Sequence, residues 1–240
     1  MQNIAQSAEE FENRIAHYDD VAAVGVALRE AILPHGFSAS AAGAFVPSLE
    51  GARPIFYFQD WPEEWLALYA RENFVNHDLV VIEARASIAA FFWSEAIARR
   101  TQTVAQRRVF EAAAERGWHD GFAVPFHGPA GYFGLLVMAG IAQTITVALR
   151  QHLTLLAIAA HNRCRTLSAR LLPSMAEFRL TSREVECLHW VASGDTDDEI
   201  GARLGLSSRT VKDYVDNARR KTGARNRAQA VAILIAAGLM

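Results

Sequence analysis

The sequence predicts an α+β chain: an N-terminal α/β/α sandwich with a mainly antiparallel sheet, followed by an all-α C-terminal domain. Three observations lead there. Apolar and aromatic segments come in pairs separated by Gly/Pro turns, as adjacent antiparallel strands do. Stretches of helical periodicity flank those pairs on both sides. From Thr181 onward every apolar stretch has helical spacing behind a capping residue.

In chain order, residues 8–33 read as two helices, with Asp19 and Asp20 between them and Pro34-His35-Gly36 as the stop. Residues 37–46 and 55–59 read as a hairpin around the turn formers of 47–54. Helical spacing returns over 61–73, with Pro62 in the first turn and Glu63 and Glu64 where the helix dipole favours negative charge. A further helix is expected over 102–116. Gly128-Pro129-Ala130-Gly131 then separates two apolar strands, 121–127 and 132–139. Residues 144–172 form one long helical pattern, stopped by Pro173. The expected organisation is a domain over 1–170, a linker over 171–178 and a second domain over 179–240.

Composition narrows the function classes. With 51% hydrophobic and 21% charged residues, the chain has enough apolar material for two cores and does not read as disordered. Its net charge of −2 means that any nucleic-acid-binding surface must be local. Cys164 and Cys187 lie in apolar helical stretches without metal-ligand spacing, which predicts neither a disulfide, a zinc site nor another cofactor. Residues 1–12 are polar and acidic, unlike a signal peptide, and a reducing cytoplasm is expected. The most apolar long stretch, 141–160, is interrupted by Arg150, Gln151 and His152, so it reads as an amphipathic helix and no membrane association is expected.

The strongest pattern lies at the C-terminus. Thr181 and Glu184 have capping-box spacing, and Gly194 suits the end of the helix they begin. Thr196 caps a second helix over 197–204, with Asp197, Asp198 and Glu199 at its positive end. After a turn at Gly205 and Ser207, a third helix over 208–222 buries Val211, Val215 and Ala218 and turns a polar face outward. Helix, short turn and helix with a polar outer face is an arrangement that reads DNA. Between Arg203 and Arg227, eight bases (Arg203, Arg209, Lys212, Arg219, Arg220, Lys221, Arg225 and Arg227) face only Asp213 and Asp216, a local excess of +6. Such a cluster can neutralise phosphates. Charge alone would equally describe a solvated helix face; the turn and caps favour DNA.

Leu180-Thr181-x-Arg183-Glu184, Trp190, Gly194, Glu199-Ile200, Thr210-Val211-Lys212, Asn217, Lys221 and Gly223 resemble the LuxR-type helix-turn-helix over its whole length. Tyr214 and Thr222 depart from the histidine and leucine usual there. The resemblance implies a homodimer on a two-fold-related site in double-stranded DNA. It makes Arg209, Thr210, Lys212, Asp216, Asn217 and Arg220 the expected contact residues. The helix over 144–172 is the expected dimer surface.

In the N-terminal half, Trp61, Trp65 and Tyr69 fall at i, i+4 and i+8, Asp78 follows in an expected loop, and Trp93 closes a Phe91-Phe92-Trp93 run. Ordinary core packing also produces aromatic stripes, but buried indole and phenol groups need hydrogen-bond partners, and a small-molecule site supplies them. Trp65, Tyr69, Asp78, Trp93 and Gly121 resemble the autoinducer-binding domain of quorum-sensing regulators over about residues 20–170. The resemblance implies an N-acyl-homoserine lactone ligand. Trp65 would donate to the lactone carbonyl, Asp78 would accept the amide N–H, Tyr69 would lie along the acyl carbonyl and Trp93 would wall the ring. Leu79 replaces a usual proline and Trp61 a usual tyrosine. Val80 and Val137 stand where relatives carry hydroxyls. Phe56, Phe58, Phe74, Phe91, Phe92, Phe110 and Phe126 are expected to add bulk around the ligand, which predicts a short, branched or aromatic acyl group. His77 and His127 come with no nucleophile or metal set, so no enzyme is expected. A receiver domain would need alternating strands and helices with an acidic cluster, which this half lacks.

Overall fold

The computed structural model describes residues 4–48, 51–128, 132–140, 146–168, 178–236 and 240. The chain divides into two compact units. The first comprises Met1–Ala44, Ile55–His127 and Phe133–Ala169, and the second Phe45–Pro54, Gly128–Tyr132 and Arg170–Met240.

Helices α1 (Ile4–Ile15) and α2 (Val21–Ile32) open the chain, and the Asp20 carboxylate accepts from Ala22 N at the start of α2. Strands β1 (Phe37–Ser48) and β2 (Gly51–Gln59) follow, then α3 (Glu63–Arg71), α4 (Leu79–Ala86), the two-residue β3 (Phe91–Phe92), α5 (Trp93–Ala98) and α6 (Val104–Ala114). Strands β4 (Asp120–His127) and β5 (Phe133–Gly140) lead to the long α7 (Val147–Leu167). The sheet order is β2-β1-β5-β4-β3, with β4 antiparallel to both β3 and β5.

Register assigns the two sheet faces, because side chains alternate along a strand. Gly121 pairs with Ala139, Ala123 with Val137 and Phe91, and Pro125 with Leu135, so these residues share one face. Phe122, Phe126, Leu136 and Met138 point the other way, with Phe92 opposite Phe122. The second face carries α7: Phe126 stacks on His161 at 3.8 Å and 3°, and the Arg150 guanidinium lies 5.0 Å above Phe92. Helices α1 and α2 pack on α7, and Phe58 fits against α2 where Gly25 has no Cβ. Helices α4 and α5 pack against β4 and each other, and the Trp93 indole of α5 lies on the Gly121 face. The α/β/α sandwich is as the sequence predicts.

Several expected boundaries move for local reasons. Pro62 stands at the N-cap of α3 and not inside its first turn, and Asn73, with φ of 51°, closes the segment two residues beyond the helix. Asparagine tolerates that left-handed conformation. Helix α7 starts at Val147, where the Thr146 hydroxyl accepts from Leu149 N at 3.0 Å. Residues 171–177 of the expected linker lie outside the described residues. Helices α4 and α5 were not foreseen, and Asp78, expected in a loop, is the N-cap of α4.

The second unit contains α8 (Ser182–Ala192), α9 (Asp197–Leu204), α10 (Ser208–Lys221) and α11 (Arg227–Ala236). The expected capping box at Thr181 forms, and the expected cap at Thr196 closes a second box. Thr181 N donates to Glu184 at 2.7 Å, and Thr196 N donates to Glu199 at 2.8 Å. Gly205, at φ of 67°, makes the left-handed turn between α9 and α10. Leu188, Ile200, Val211, Val215, Ala218 and Leu234 form the fully buried core.

Burial, with a smaller effect from Arg165, pushes the His161 imidazole down to about 3. An unfolded histidine titrates near 6.5, so between these values the unfolded chain binds a proton that the folded chain does not. This contribution is fully present above about pH 6.5 and erodes as pH falls towards about 3. Between pH 7.5 and 5.5 the wild type should lose roughly 1 kcal/mol more stability than His161→Phe, which keeps the stack on Phe126. Guanidinium unfolding at the two pH values measures the difference; equal losses would contradict a buried neutral imidazole.

Candidate functional site

Helix α3 presents Trp65 and Tyr69 on one face, as their spacing requires, while Trp61, expected to begin that stripe, precedes the helix and its N-cap Pro62. Trp65 is buried, 5.7 Å from Tyr69 and 6.1 Å from Phe74 between ring centroids. A residue the sequence reading missed completes the group: Trp118 packs 5.1 Å from Trp61 and edge-on to Trp65 at 5.3 Å. The Arg116 guanidinium lies 5.3 Å from the Trp65 ring, a cation over the electron-rich face, while its Nη1 donates to Ala112 O. Trp118 and Arg116 could not be found by periodicity, because they reach α3 only through the fold.

Asp78 joins this aromatic group to α4. Its Oδ1 accepts from Val80 N at 2.8 Å, capping the helix, and its Oδ2 accepts from the Tyr69 hydroxyl at 2.9 Å. Burial pushes the Asp78 carboxyl above its usual range, and the bonds from Val80 and Tyr69 oppose that shift. Burial and the neighbouring Asp78 hold Tyr69 well above its ordinary value, so it stays protonated and donates. Each carboxylate oxygen has two lone pairs, so Asp78 keeps capacity for another donor. Val80, buried itself, contributes a backbone N–H here and no hydroxyl.

A second group lies on the Gly121 face. Trp93 begins α5, buried, with Phe110 at 6.2 Å. Its flanks are fixed on both sides. Phe92 N donates to Glu95 at 2.9 Å, and Arg150 of α7 holds that carboxylate at 2.6 Å while also donating to Ala90 O at 2.9 Å. On the other side the buried Asp120 accepts from Ser94 N, the Ser94 hydroxyl and Gly121 N at 3.1, 2.7 and 2.8 Å. A Cβ on Gly121 would stand 2.2 Å from Trp93 Cε2, so only glycine admits the indole. Val137, half-buried, shares this face.

The expected ring of phenylalanines does not form. Strand alternation places Phe92 and Phe126 on the α7 side, Phe58 packs on α2, and Phe56 is 46% exposed. Phe74 and Phe110 do contact the site aromatics, and Phe91 lies on the Gly121 face.

In the second unit, α10 leaves Arg209, Lys212 and Arg220 exposed, with Thr210, Asp216 and Asn217 half-buried. The Thr210 hydroxyl bonds the capping Ser207 at 2.7 Å, and Arg220 bonds the Asn217 carbonyl. The local excess of +6 overstates the charge available to a partner. Arg203 pairs with Asp195 at 2.8 Å, Lys221 with Glu184 at 2.7 Å and Arg227 with Asp197 at 2.7 Å. All three carboxylates lie outside the segment in which charge was counted. Arg219 pairs with Asp216 at 3.3 Å. Among the described residues, Arg209, Lys212, Arg220 and Arg225 show no carboxylate partner.

Residues 20–164 match the model of the autoinducer binding domain, and residues 179–234 match that of the luxR family of bacterial regulatory proteins. The chain belongs to the LuxR family. This autoinducer-binding transcription regulator is 39% identical over 180 residues to the quorum sensing-dependent transcriptional regulator RpaR of Rhodopseudomonas palustris, covering 75% of this chain and 73% of that one. It is 34% identical to the transcriptional activator BjaR1 of Bradyrhizobium diazoefficiens, covering 73% and 72%. Its fold is that of Escherichia coli SdiA, with a TM-score of 0.78 at 20% identity over 99% of both chains. A structure of SdiA with octanoyl-rac-glycerol gives 0.77 at 22% identity, covering all of this chain and 98% of that one.

Gly121→Ala forces a methyl group into the Trp93 indole and towards Met138 O, 2.5 Å from the added Cβ. Overpacking of this kind costs about 1–3 kcal/mol. Chemical unfolding should show that loss; an unchanged midpoint would mean that Trp93 does not occupy this position.

Proposed function

We propose that this LuxR-family regulator binds an N-acyl-homoserine lactone in the unit built on residues 1–170. In this reading, residues 179–240, acting in a cytoplasmic homodimer, bind a two-fold-related site in double-stranded DNA. The observation that carries the ligand reading is the half-buried Asp78 carboxylate, bonded by Tyr69 beside the Trp65 indole. An acceptor-only carboxylate next to a donor-only indole suits a ligand head offering one N–H and one carbonyl. Asp78 takes the amide N–H, Trp65 the lactone carbonyl, and Trp93 with Phe110 walls the ring. Tyr69 orients Asp78 and lies along the acyl carbonyl. Val80 and Val137 supply no hydroxyl, so the ligand leans on Asp78 and Trp65.

The acyl group is short, branched or aromatic in this reading. The support is Trp118 closing on Trp61 and Trp65, beside Phe74, and no longer the full set of phenylalanines. A second reading, an acyl ligand other than a lactone, draws on the valines at 80 and 137 and on the acyl glycerol bound by SdiA. Mass spectrometry of the molecule retained by protein from its native host separates the two. The dimer is assigned to α7, where Leu155 and Ile158 are 43% and 39% exposed one turn apart. No helix among the described residues is long and apolar enough to cross a membrane. No catalytic role is proposed.

Asp78→Asn retains an N-cap but loses the charge, and Trp65→Phe loses the donor. Each should raise the lactone concentration for half-maximal response by roughly 10-fold or more, since a bond to a charged or buried partner contributes about 1.5–3 kcal/mol. The helical signal of the DNA-binding unit should not change. A response equal to wild type in both variants would remove the lactone reading.

For DNA, Lys212→Ala should weaken binding and reduce the slope of log affinity against log salt by about 1. Arg203→Ala should leave that slope alone, because Arg203 is held by Asp195 and by the Trp190 ring at 4.7 Å. Fluorescence anisotropy with a labelled duplex over a salt series measures both, and an equal loss of slope would contradict the pairing.

A further inference from the structure

Besides the Trp65 indole, three polar side chains are assigned to the proposed ligand site, and two of them are satisfied within the protein: Tyr69 donates to Asp78, and Asp78 accepts from Tyr69 and Val80 N. The third is Trp93. Its side chain is more than nine-tenths buried, and among the described residues nothing accepts from its Nε1. A buried donor left unpaired costs about 1–3 kcal/mol, so its position calls for a reason.

The indole has no freedom to turn towards a protein acceptor. Asp120 grips Ser94 through its N–H and hydroxyl, Glu95 grips Phe92 N, and the ring rests where the Cβ of Gly121 would be. Cε2, the atom bonded to Nε1, stands over Gly121. The donor therefore lies at the sheet face carrying Ala123, Leu135, Val137 and Ala139. None of these side chains can accept a hydrogen bond.

We propose that Trp93 is a second indole donor to the ligand, giving its Nε1 proton to an acceptor oxygen of the cyclic head, and that Asp120 is its positioning residue. The assignment rests on the lactone reading and extends it, since walling a ring needs only an aromatic face. The head is then read by two fixed donors, Trp65 and Trp93, and one fixed acceptor, Asp78. An N-acyl-homoserine lactone offers a ring ester oxygen, the lactone carbonyl oxygen and one amide N–H, which matches that count.

The test uses the full chain and matched pairs of probes: N-acyl-homoserine lactones of short, branched and aromatic acyl groups, and the cyclopentylamides of the same acyl groups. The amides keep a five-membered ring but lack the ring oxygen and the carbonyl oxygen of the lactone. Binding is measured by competition or calorimetry. Trp93→Phe, which keeps the wall, should weaken the lactones about 10-fold, the equivalent of about 1.4 kcal/mol, and the cyclopentylamides less than 2-fold. An equal loss for both probes would leave Trp93 as a wall alone, overturning the donor while the lactone reading stands. Failure of the wild type to bind any lactone in the panel would overturn both. Should Trp93→Phe not fold, wild-type protein with ¹⁵N-labelled tryptophan gives the answer. The Trp93 indole proton, assigned by its proximity to Gly121, should move downfield with a lactone and stay in place with the cyclopentylamide. An indole proton indifferent to both probes would refute the donor.

Discussion

The Asp78 carboxylate is the group on which the first unit's site depends. One oxygen caps α4 and the other accepts a hydrogen bond from the Tyr69 hydroxyl, so a single side chain fixes a helix and an aromatic stripe relative to each other. Helix α4 in turn packs on α5 and β4, and α5 begins with Trp93. Withdrawing a carboxylate from water is costly unless donors surround it. Asp78 has two donors and room for a third, and its upward-shifted carboxyl shows that the two do not fully offset burial. A ligand N–H placed there would relieve that deficit, and any ligand that binds only the folded state adds to its stability.

The sheet keeps two tasks apart by alternation. Phe122, Phe126 and Phe92 meet α7 on one face, while Gly121 and its neighbours leave the other face small enough for the Trp93 indole. Arg150 crosses this division: from α7 it reaches Ala90 O and the Glu95 carboxylate that caps α5.

What the sequence made legible was what local chemistry decides. Thr181 with Glu184 forms the expected box, and Thr196 caps its helix as expected, because capping needs only residues three apart. Trp65 and Tyr69 share a face because helical pitch dictates it, whereas Trp61 precedes α3. Helices α4 and α5 escaped because eight and six residues are too few for periodicity to show. Asp78 was singled out as a ligand contact, but not as a cap. The phenylalanines were read as a composition, and the fold sorts them by strand parity. Trp118 and Arg116 carry no local signal at all; what makes them part of the site is the turn after α6, which brings them to α3.

The same limit governs the DNA-binding unit, where charge counted along a segment differs from charge available in space. Glu184, Asp195 and Asp197 belong to α8, its following turn and α9, yet they neutralise Lys221, Arg203 and Arg227. The first of these pairs joins α8 to α10, the second anchors α9 to the turn before it, and the third joins α11 to α9. Glu184 does this while closing the capping box with Thr181, so the start of α8 and the end of α10 share one carboxylate. Of the bases that remain, Arg209 and Lys212 lie near the start of α10, Arg220 near its end and Arg225 beyond it. A row of separated cations on a braced helix can follow a phosphate backbone, whereas the same charges in a cluster would repel one another.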